Sequence, residues 1–383
     1  MFCRAHAVRF GLALALLPAL SACTYLEGLD LGAWRGGWGE TEPVVVAGPD
    51  PDAPREPALP TRHFESVSAD QEVLGDVQIL FARHENTFVQ IARDFDLGYE
   101  ELKLANPGVD VWIPGEGTPI FLPTMNIVPA LPREGIVLNL PSMRLMYFVE
   151  DDAADVRRVT SHPIGIGRQG WATPTGSAEV TGKAREPTWY PPASVRAEHA
   201  ELGDPLPSIV GPGPDNPLGN FAMGLSMPGY LIHGTNKPAG VGMRVSHGCI
   251  RLYPEDIEAL FDRVPSGTPV NIIDEPVLAG WRDGELYLEV HAPLAEDERD
   301  LSAQAQRVIA AAFQRADLEP VPLDEALIAR IVTEQRGIPF PILNREQSID
   351  GYLASARIIE NTIEQAVQPA VVETAALETT ASN

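Results

Sequence analysis

The chain has 383 residues, 44% of them hydrophobic and 21% charged, which is enough for two or three modules each with its own core. Its formal net charge of -25 excludes nucleic acid as a partner, because a polyanion is repelled wherever no large basic patch intervenes. With 36 prolines and 33 glycines, the chain needs many turns and some extended linker, which points to a mainly β fold with unstructured joints.

At the N-terminus, Arg4 and Arg9 precede an apolar run, Phe10 to Leu20, that is followed by small residues. This is the layout of a secretory signal peptide, expected over 1–22, and it is too short to span a bilayer. Leu20-Ser21-Ala22-Cys23 resembles the bacterial lipobox, which implies lipidation at Cys23, a periplasmic location in the cell envelope and attachment to a lipid membrane. Thr24 stands where an Asp would resemble an inner-membrane retention signal, so the resemblance implies the outer membrane. The alternative is an ordinary cleaved signal with a chance cysteine. Of the three cysteines, Cys3 leaves with the signal and Cys23 is acylated, so Cys249 is a lone thiol in an oxidising compartment. It is either inert and buried or reactive, and its neighbours must decide.

Residues 23–77 are rich in Pro, Gly and charge without a sustained apolar period, and are expected to form a flexible, lipid-anchored linker. Residues 78–124 have βααβ character. A short apolar strand is followed by Thr87-Phe88-Val89-Gln90, a capping box that opens a helix with Phe88, Ile91, Ala92 and Phe95 on one face. A second helix carries Leu102 and Ala105, Asn106-Pro107-Gly108 turns the chain, and Ile120-Phe121-Leu122-Pro123 returns as a strand. This stretch resembles a LysM module, which implies binding to glycan strands, although His84-Glu85-Asn86-Thr87 departs from the commoner Gly-Asp-Thr start. The alternative is a spacer domain.

From 134 to 275 short strand-like runs recur between turns: Ile136 to Leu140, Arg144 to Val149, Val156 to Ile166, Ala178 to Gly182 and Pro269 to Ile273. The spacing predicts a β-sandwich or barrel. Residues 276–340 are expected to supply a strand over Gly284 to His291 and a short α-helical C-terminal region. One helix has Leu301, Ala305, Ile309 and Phe313 on a face, and a second has Leu327, Ile331 and Val332, capped by Asp324 and stopped by Gly337. Residues 341–383 are expected to be a partly disordered tail.

Chemistry concentrates in Tyr230-Leu231-Ile232-His233-Gly234-Thr235 and Ser246-His247-Gly248-Cys249-Ile250-Arg251-Leu252. An acyl-transferring thiol needs a base within reach, a group that orients the base, and backbone donors for the oxyanion. His233 closes an apolar strand from which an imidazole can be aimed at Cys249, and the two can form a thiolate-imidazolium pair. Gly248 removes a side chain beside the nucleophile, so the N–H groups of Gly248 and Cys249 can serve as an oxyanion hole.

His-Gly-Thr followed by Ser-His-Gly-Cys-Ile-Arg-Leu resembles the L,D-transpeptidase (YkuD-type) family, as do the upstream stretches from Ile164-Gly165-Ile166-Gly167 to Pro191-Pro192 and Gly213 to Gly219. The resemblance implies that Cys249 is the nucleophile, His233 the proton carrier and the Gly234 carbonyl the orienting third member, with Ser246, His247, Gly248 and Arg251 in support. It implies attack on the third-residue carbonyl of a peptidoglycan stem tetrapeptide, release of D-Ala, and transfer to an amine without a cofactor. That amine gives a 3-3 cross-link or attaches an envelope lipoprotein, and acylation by carbapenems is a further implication. Water as acceptor would make the protein an L,D-carboxypeptidase, and a non-catalytic peptidoglycan-binding scaffold is the reading from a different class.

A zinc site built from His233, His247 and Cys249 is a rival, but His-Gly-Cys spacing is unlike common zinc motifs, so no metal is expected. No Asp or Glu occurs from Asn216 to Pro254, whereas Lys237, Arg244 and Arg251 do, and Arg168, Lys183 and Arg185 lie upstream. These predict a local positive region suited to a substrate bearing carboxylates.

Overall fold

The computed structural model describes residues 55–61, 65–68, 71–150, 156–344 and 347–363. The expected signal peptide, Cys23 and residues 364–383 lie outside the described residues.

Strands dominate. Nine of them run in one hydrogen-bonded order: Glu65–Ser68, Val156–Pro163, Arg144–Glu150, Gly135–Asn139, Pro269–Ile273, Gly176–Arg185, Phe221–Leu225, Leu231–His233 and Ile250–Arg251. Pairing is antiparallel except between Gly135–Asn139 and Pro269–Ile273 and between Leu231–His233 and Ile250–Arg251, which are parallel. Gly176–Arg185 is shared between two halves. Its first residues pair with Pro269–Ile273 and its later ones with Phe221–Leu225, with a register shift between Val180 and Gly182. Such a bulge lets a strand change sheets at a corner. Side chains from both halves, Ile136, Leu138 and Val270 on one side and Met223, Ile232 and Ile250 on the other, meet in one cluster. The helix Pro254–Phe261 adds Ile257, Leu260 and Phe261 to it. Strand alternation sends Val137, Met146 and Phe148 to a second core on the opposite face.

The βααβ stretch consists of Gln78–Phe81, the helices Phe88–Asp94 and Tyr99–Ala105, and Pro119–Leu122. The Thr87/Gln90 capping box is formed. Asn106 fastens the second helix to the closing strand, donating to the Leu102 and Phe121 carbonyls at 2.8 Å each and accepting from the Phe121 N–H at 2.7 Å. Leu80, Ile120 and Leu122 face these helices, while Ile79, Phe81 and Phe121 point the other way into the largest core.

That core is built by the C-terminal region. Val277–Arg282 and Glu285–Val290 form a hairpin around Asp283-Gly284, both at positive φ, as a type I′ turn requires. The helices Leu301–Arg315 and Glu325–Glu334 pack on it with Ile309, Phe313 and Ile331.

Four expectations need correction. The hairpin's first strand precedes the single strand expected from Gly284, and the second helix ends at Glu334, three residues before the expected stop at Gly337, with Gln335 in the left-handed region. The stretch 23–77 is not all tether, since Glu65–Ser68 joins the large sheet and Val73–Leu74 pairs with Asn126–Ile127. The expected tail from 341 contains the helix Ile349–Ala354 and the strand Arg357–Ile359, which adds in parallel to Gln78–Phe81. The βααβ stretch therefore takes a third strand from far along the sequence. Its sheet is covered on both faces, a long-range closure that local patterning does not record.

Candidate active site

Register brings the two informative segments together. Leu231–His233 lies parallel to Ile250–Arg251 with Ile232 opposite Ile250 and His233 opposite Arg251. Cys249 stands immediately before its strand, opposite Leu231 in this parallel register, so it lies two positions from His233 along the pair and the two are diagonal neighbours.

His233 is buried, and its Nδ1 lies 2.6 Å from the Gly234 carbonyl oxygen. A carbonyl can only accept, so Nδ1 carries the proton and the neutral ring keeps its lone pair on Nε2. Burial first and the Arg251 charge second drive the His233 pKa down to about 3, against the opposing pull of the Gly234 and Leu218 backbone groups. Burial pushes the Cys249 thiol up, opposed by a hydrogen bond with the Leu231 backbone and by Arg251. Both shifts favour the neutral thiol and neutral imidazole over the thiolate-imidazolium pair that the residue types allow. The reason is desolvation, which penalises both charged forms at once.

The turn carrying the thiol is fixed by hydroxyl groups. Ser246 Oγ donates to the Cys249 carbonyl at 2.6 Å and accepts the Gly248 N–H at 3.1 Å. Thr173 Oγ1 donates to the Gly248 carbonyl at 2.9 Å and accepts the Gly167 N–H at 3.0 Å. Gly248 has φ +101°, and a Cβ there would sit 2.9 Å from Tyr230 Cε1, so both conformation and space require glycine. Of the two N–H groups expected to form an oxyanion hole, the Gly248 one is committed to Ser246.

His247 points away from this proton path. Its Nε2 lies 2.7 Å from Glu198 Oε2, on the helix Ala193–Glu201, and 3.2 Å from Arg168 Nη2, with Trp171 edge-on at 4.8 Å between ring centroids. Arg168 also pairs with Glu198.

A profile of the L,D-transpeptidase catalytic domain, YkuD, matches residues 133–272. The Escherichia coli K12 protein named Probable L,D-transpeptidase YbiS is 40% identical over 265 residues, spanning 67% of this chain and 85% of that one. Probable L,D-transpeptidase YcfS of the same organism is 37% identical over 263 residues, spanning 67% of this chain and 81% of that one. Probable L,D-transpeptidase ErfK/SrfK of Salmonella typhimurium LT2 is 38% identical over 254 residues, spanning 66% of this chain and 81% of that one. The chain belongs to the L,D-transpeptidase family.

Within this L,D-transpeptidase the positive region expected from sequence is largely neutralised. Glu198 takes Arg168, Asp262 takes Arg185, Glu296 takes Arg244, and Lys183 donates to the Phe261 and Val264 carbonyls. Those carboxylates arrive from outside the acid-free stretch. Arg251 is different. Its Nε is buried without a hydrogen-bond partner, and burial lowers its pKa while Cys249 opposes that shift. Residue-type reasoning missed Thr173 and Glu198. The Thr-Pro-Thr-Gly segment of the upstream signature was the available signal for the first, and nothing local marked the second.

Proposed function

We propose that this L,D-transpeptidase uses Cys249 as nucleophile and His233 as proton carrier on peptidoglycan stem tetrapeptides. The observation that carries the reading is the bond of His233 Nδ1 to the Gly234 carbonyl, which leaves Nε2 able to accept a proton at the end of the strand beside Cys249. As Cys249 Sγ attacks the third-residue carbonyl, its proton passes to Nε2, so charge develops only as the carbon–sulfur bond forms. The Cys249 N–H donates to the oxyanion, and the Arg251 cation favours the developing negative charge. Collapse breaks the bond to the terminal D-Ala, whose amine takes the proton from His233, leaving a thioester. An acceptor amine then attacks, His233 removes its proton, the carbon–sulfur bond breaks, and the thiol is restored. His233 and Gly234 act as one unit, Ser246 and Gly248 hold the turn, and His247 fixes the segment beside it.

The acceptor is the side-chain amine of a third-position diamino acid or of a Lys on an envelope lipoprotein, water being the hydrolytic alternative. The βααβ unit is LysM-like and binds glycan strands, and Cys23 is acylated, which places the enzyme in the periplasm on the outer membrane. Muropeptide mass spectrometry of cells with and without the protein tests the reaction. Loss of 3-3 cross-links or of wall-linked lipoprotein is the expected result, and an unchanged pattern contradicts it. Intact mass of the membrane-extracted protein tests the anchor, with a diacylglyceryl group at Cys23 expected and a soluble form beginning elsewhere contradicting it.

A further inference from the structure

The βααβ unit is seated directly on the chain that carries Cys249. Gly98, which starts its second helix, meets Gly242 so closely that a Cβ on Gly242 would lie 2.2 Å from the Gly98 Cα, and Gly242 has φ +74°. The Tyr99 and Glu100 N–H groups donate to the Val241 and Gly242 carbonyls at 3.4 and 3.2 Å. This is the segment entering Arg244–Ser246 and the nucleophile turn.

The segment leaving the turn is held by the same unit. Tyr253 Oη donates to the Leu97 carbonyl at 3.1 Å, and Arg93 pairs with Glu255 through two bonds of 2.9 and 3.0 Å. Between them His162, on the strand Val156–Pro163, places Nδ1 3.2 Å from Asp96 Oδ2 of the βααβ unit and 3.6 Å from Asp256 Oδ1 of the helix that follows Arg251. Its Nε2 lies 3.0 Å from Thr160 Oγ1. Alongside, Arg144 makes two 3.0 Å bonds to Glu101 and a third to the Asp96 carbonyl. All three members of the Asp96–His162–Asp256 cluster are buried.

We propose that the βααβ unit is a positioning element of the active site: through the Gly98–Gly242 contact and the Asp96–His162–Asp256 cluster it fixes the two segments that enter and leave the Cys249 turn. This rests on the reading of Cys249 as nucleophile. His162 is a positioning residue here, acting on the thiol through Asp256 and the helix Pro254–Phe261. Burial lowers the His162 pKa, but Asp96 and Asp256 outweigh it and raise the value to about 9, so the imidazole sits between the two carboxylates as a cation at neutral pH. The consequence is that whatever the unit binds acts on the catalytic turn through a rigid seam, with no flexible linker between them.

The test compares full-length His162→Gln and Gly242→Ala with Ile309→Val, a conservative change on the helix Leu301–Arg315, outside the residues that form the seam. Three readings are taken: the thermal midpoint, kcat and KM on a soluble tetrapeptide, and the rate of Cys249 alkylation by iodoacetamide at neutral pH. In His162→Gln, kcat is expected to fall about tenfold with KM within about twofold, because small misplacements of reacting groups are costly. The alkylation rate should shift by about threefold or more, and Ile309→Val should lose thermal stability with neither change. A seam variant that melts earlier but matches Ile309→Val in kcat and alkylation overturns the proposal, leaving the seam purely structural. If Gly242→Ala fails to fold, His162→Gln decides alone. If the wild type turns over no tetrapeptide, the functional reading fails, and the alkylation rate still decides the positioning role.

Discussion

Two histidines, both almost wholly enclosed at 3% and 1% exposure, sit in opposite surroundings. His233 faces backbone carbonyls and the Arg251 cation, and its pKa falls to about 3. His162 faces Asp96 and Asp256, and its pKa rises to about 9. Burial penalises the charged form of each, so the difference lies in the charges placed beside them. The surroundings of His233 favour a neutral ring with its lone pair on Nε2. Those of His162 favour a cation between the βααβ unit and the helix Pro254–Phe261. On the proposed reading one residue type, similarly buried, serves as proton acceptor in one region and as cross-brace in the other.

The largest expected effect comes from removing the thiol. Cys249→Ala leaves no group to carry the acyl chain, so turnover of tetrapeptide should drop to background, measured as D-Ala release. His233→Gln should cost about 100-fold to 10,000-fold in kcat, and the double variant should be little worse than Cys249→Ala alone, because both serve one step. A double variant far below the single one would separate the two residues.

Thermal midpoints against pH sharpen the contrast between the histidines. His233 has a depressed folded pKa, so the unfolded chain binds the extra proton and stability is lost as pH falls from its ordinary value of 6.5 towards about 3. His162 has a raised one, so its contribution is complete below 6.5 and is lost as pH rises through about 9. His233→Gln should flatten the acid limb and His162→Gln the alkaline limb. An alkaline limb unmoved by His162→Gln would mean that the two carboxylates do not hold a charged ring.

Smaller effects are expected around the turn. Ser246→Ala removes an acceptor for Gly248 and a donor to Cys249, and at about 1 kcal/mol per bond it should lower kcat by roughly tenfold or somewhat more. His247→Gln should be the mildest, within about tenfold, because it loses the contact with Glu198 and no proton step. A loss in His247→Gln as large as in His233→Gln would reassign the base.

Legibility follows the range of the interactions. The capping box of Thr87 and Gln90, the Asp324 cap, the Pro269–Ile273 strand and the His-Gly/Ser-His-Gly-Cys segments depend on residues a few positions apart, and their patterns can be read directly. The Asp283-Gly284 turn is equally local, its Asp-Gly pair being the signal for the hairpin that the alternation of Gly284 to His291 alone does not show. The pairing of Arg357–Ile359 with Gln78–Phe81, the approach of Glu198 to His247 and the Asp96–His162–Asp256 cluster join residues far apart, and no local period records them. The same distance explains the two site errors. Desolvation of Cys249 and His233 is a property of the assembled core, and the carboxylates that neutralise Arg168, Arg185 and Arg244 come from other parts of the chain.

On the proposed mechanism the acyl group passes through Cys249. Intact-protein mass after brief incubation with a stem tetrapeptide, without an amine acceptor, reads this directly. One adduct is expected, with the mass of the tetrapeptide less its terminal D-Ala, mapped by proteolysis to Cys249, released by an added amine and absent from Cys249→Ala. An adduct on another residue, or D-Ala release that survives Cys249→Ala, would contradict it.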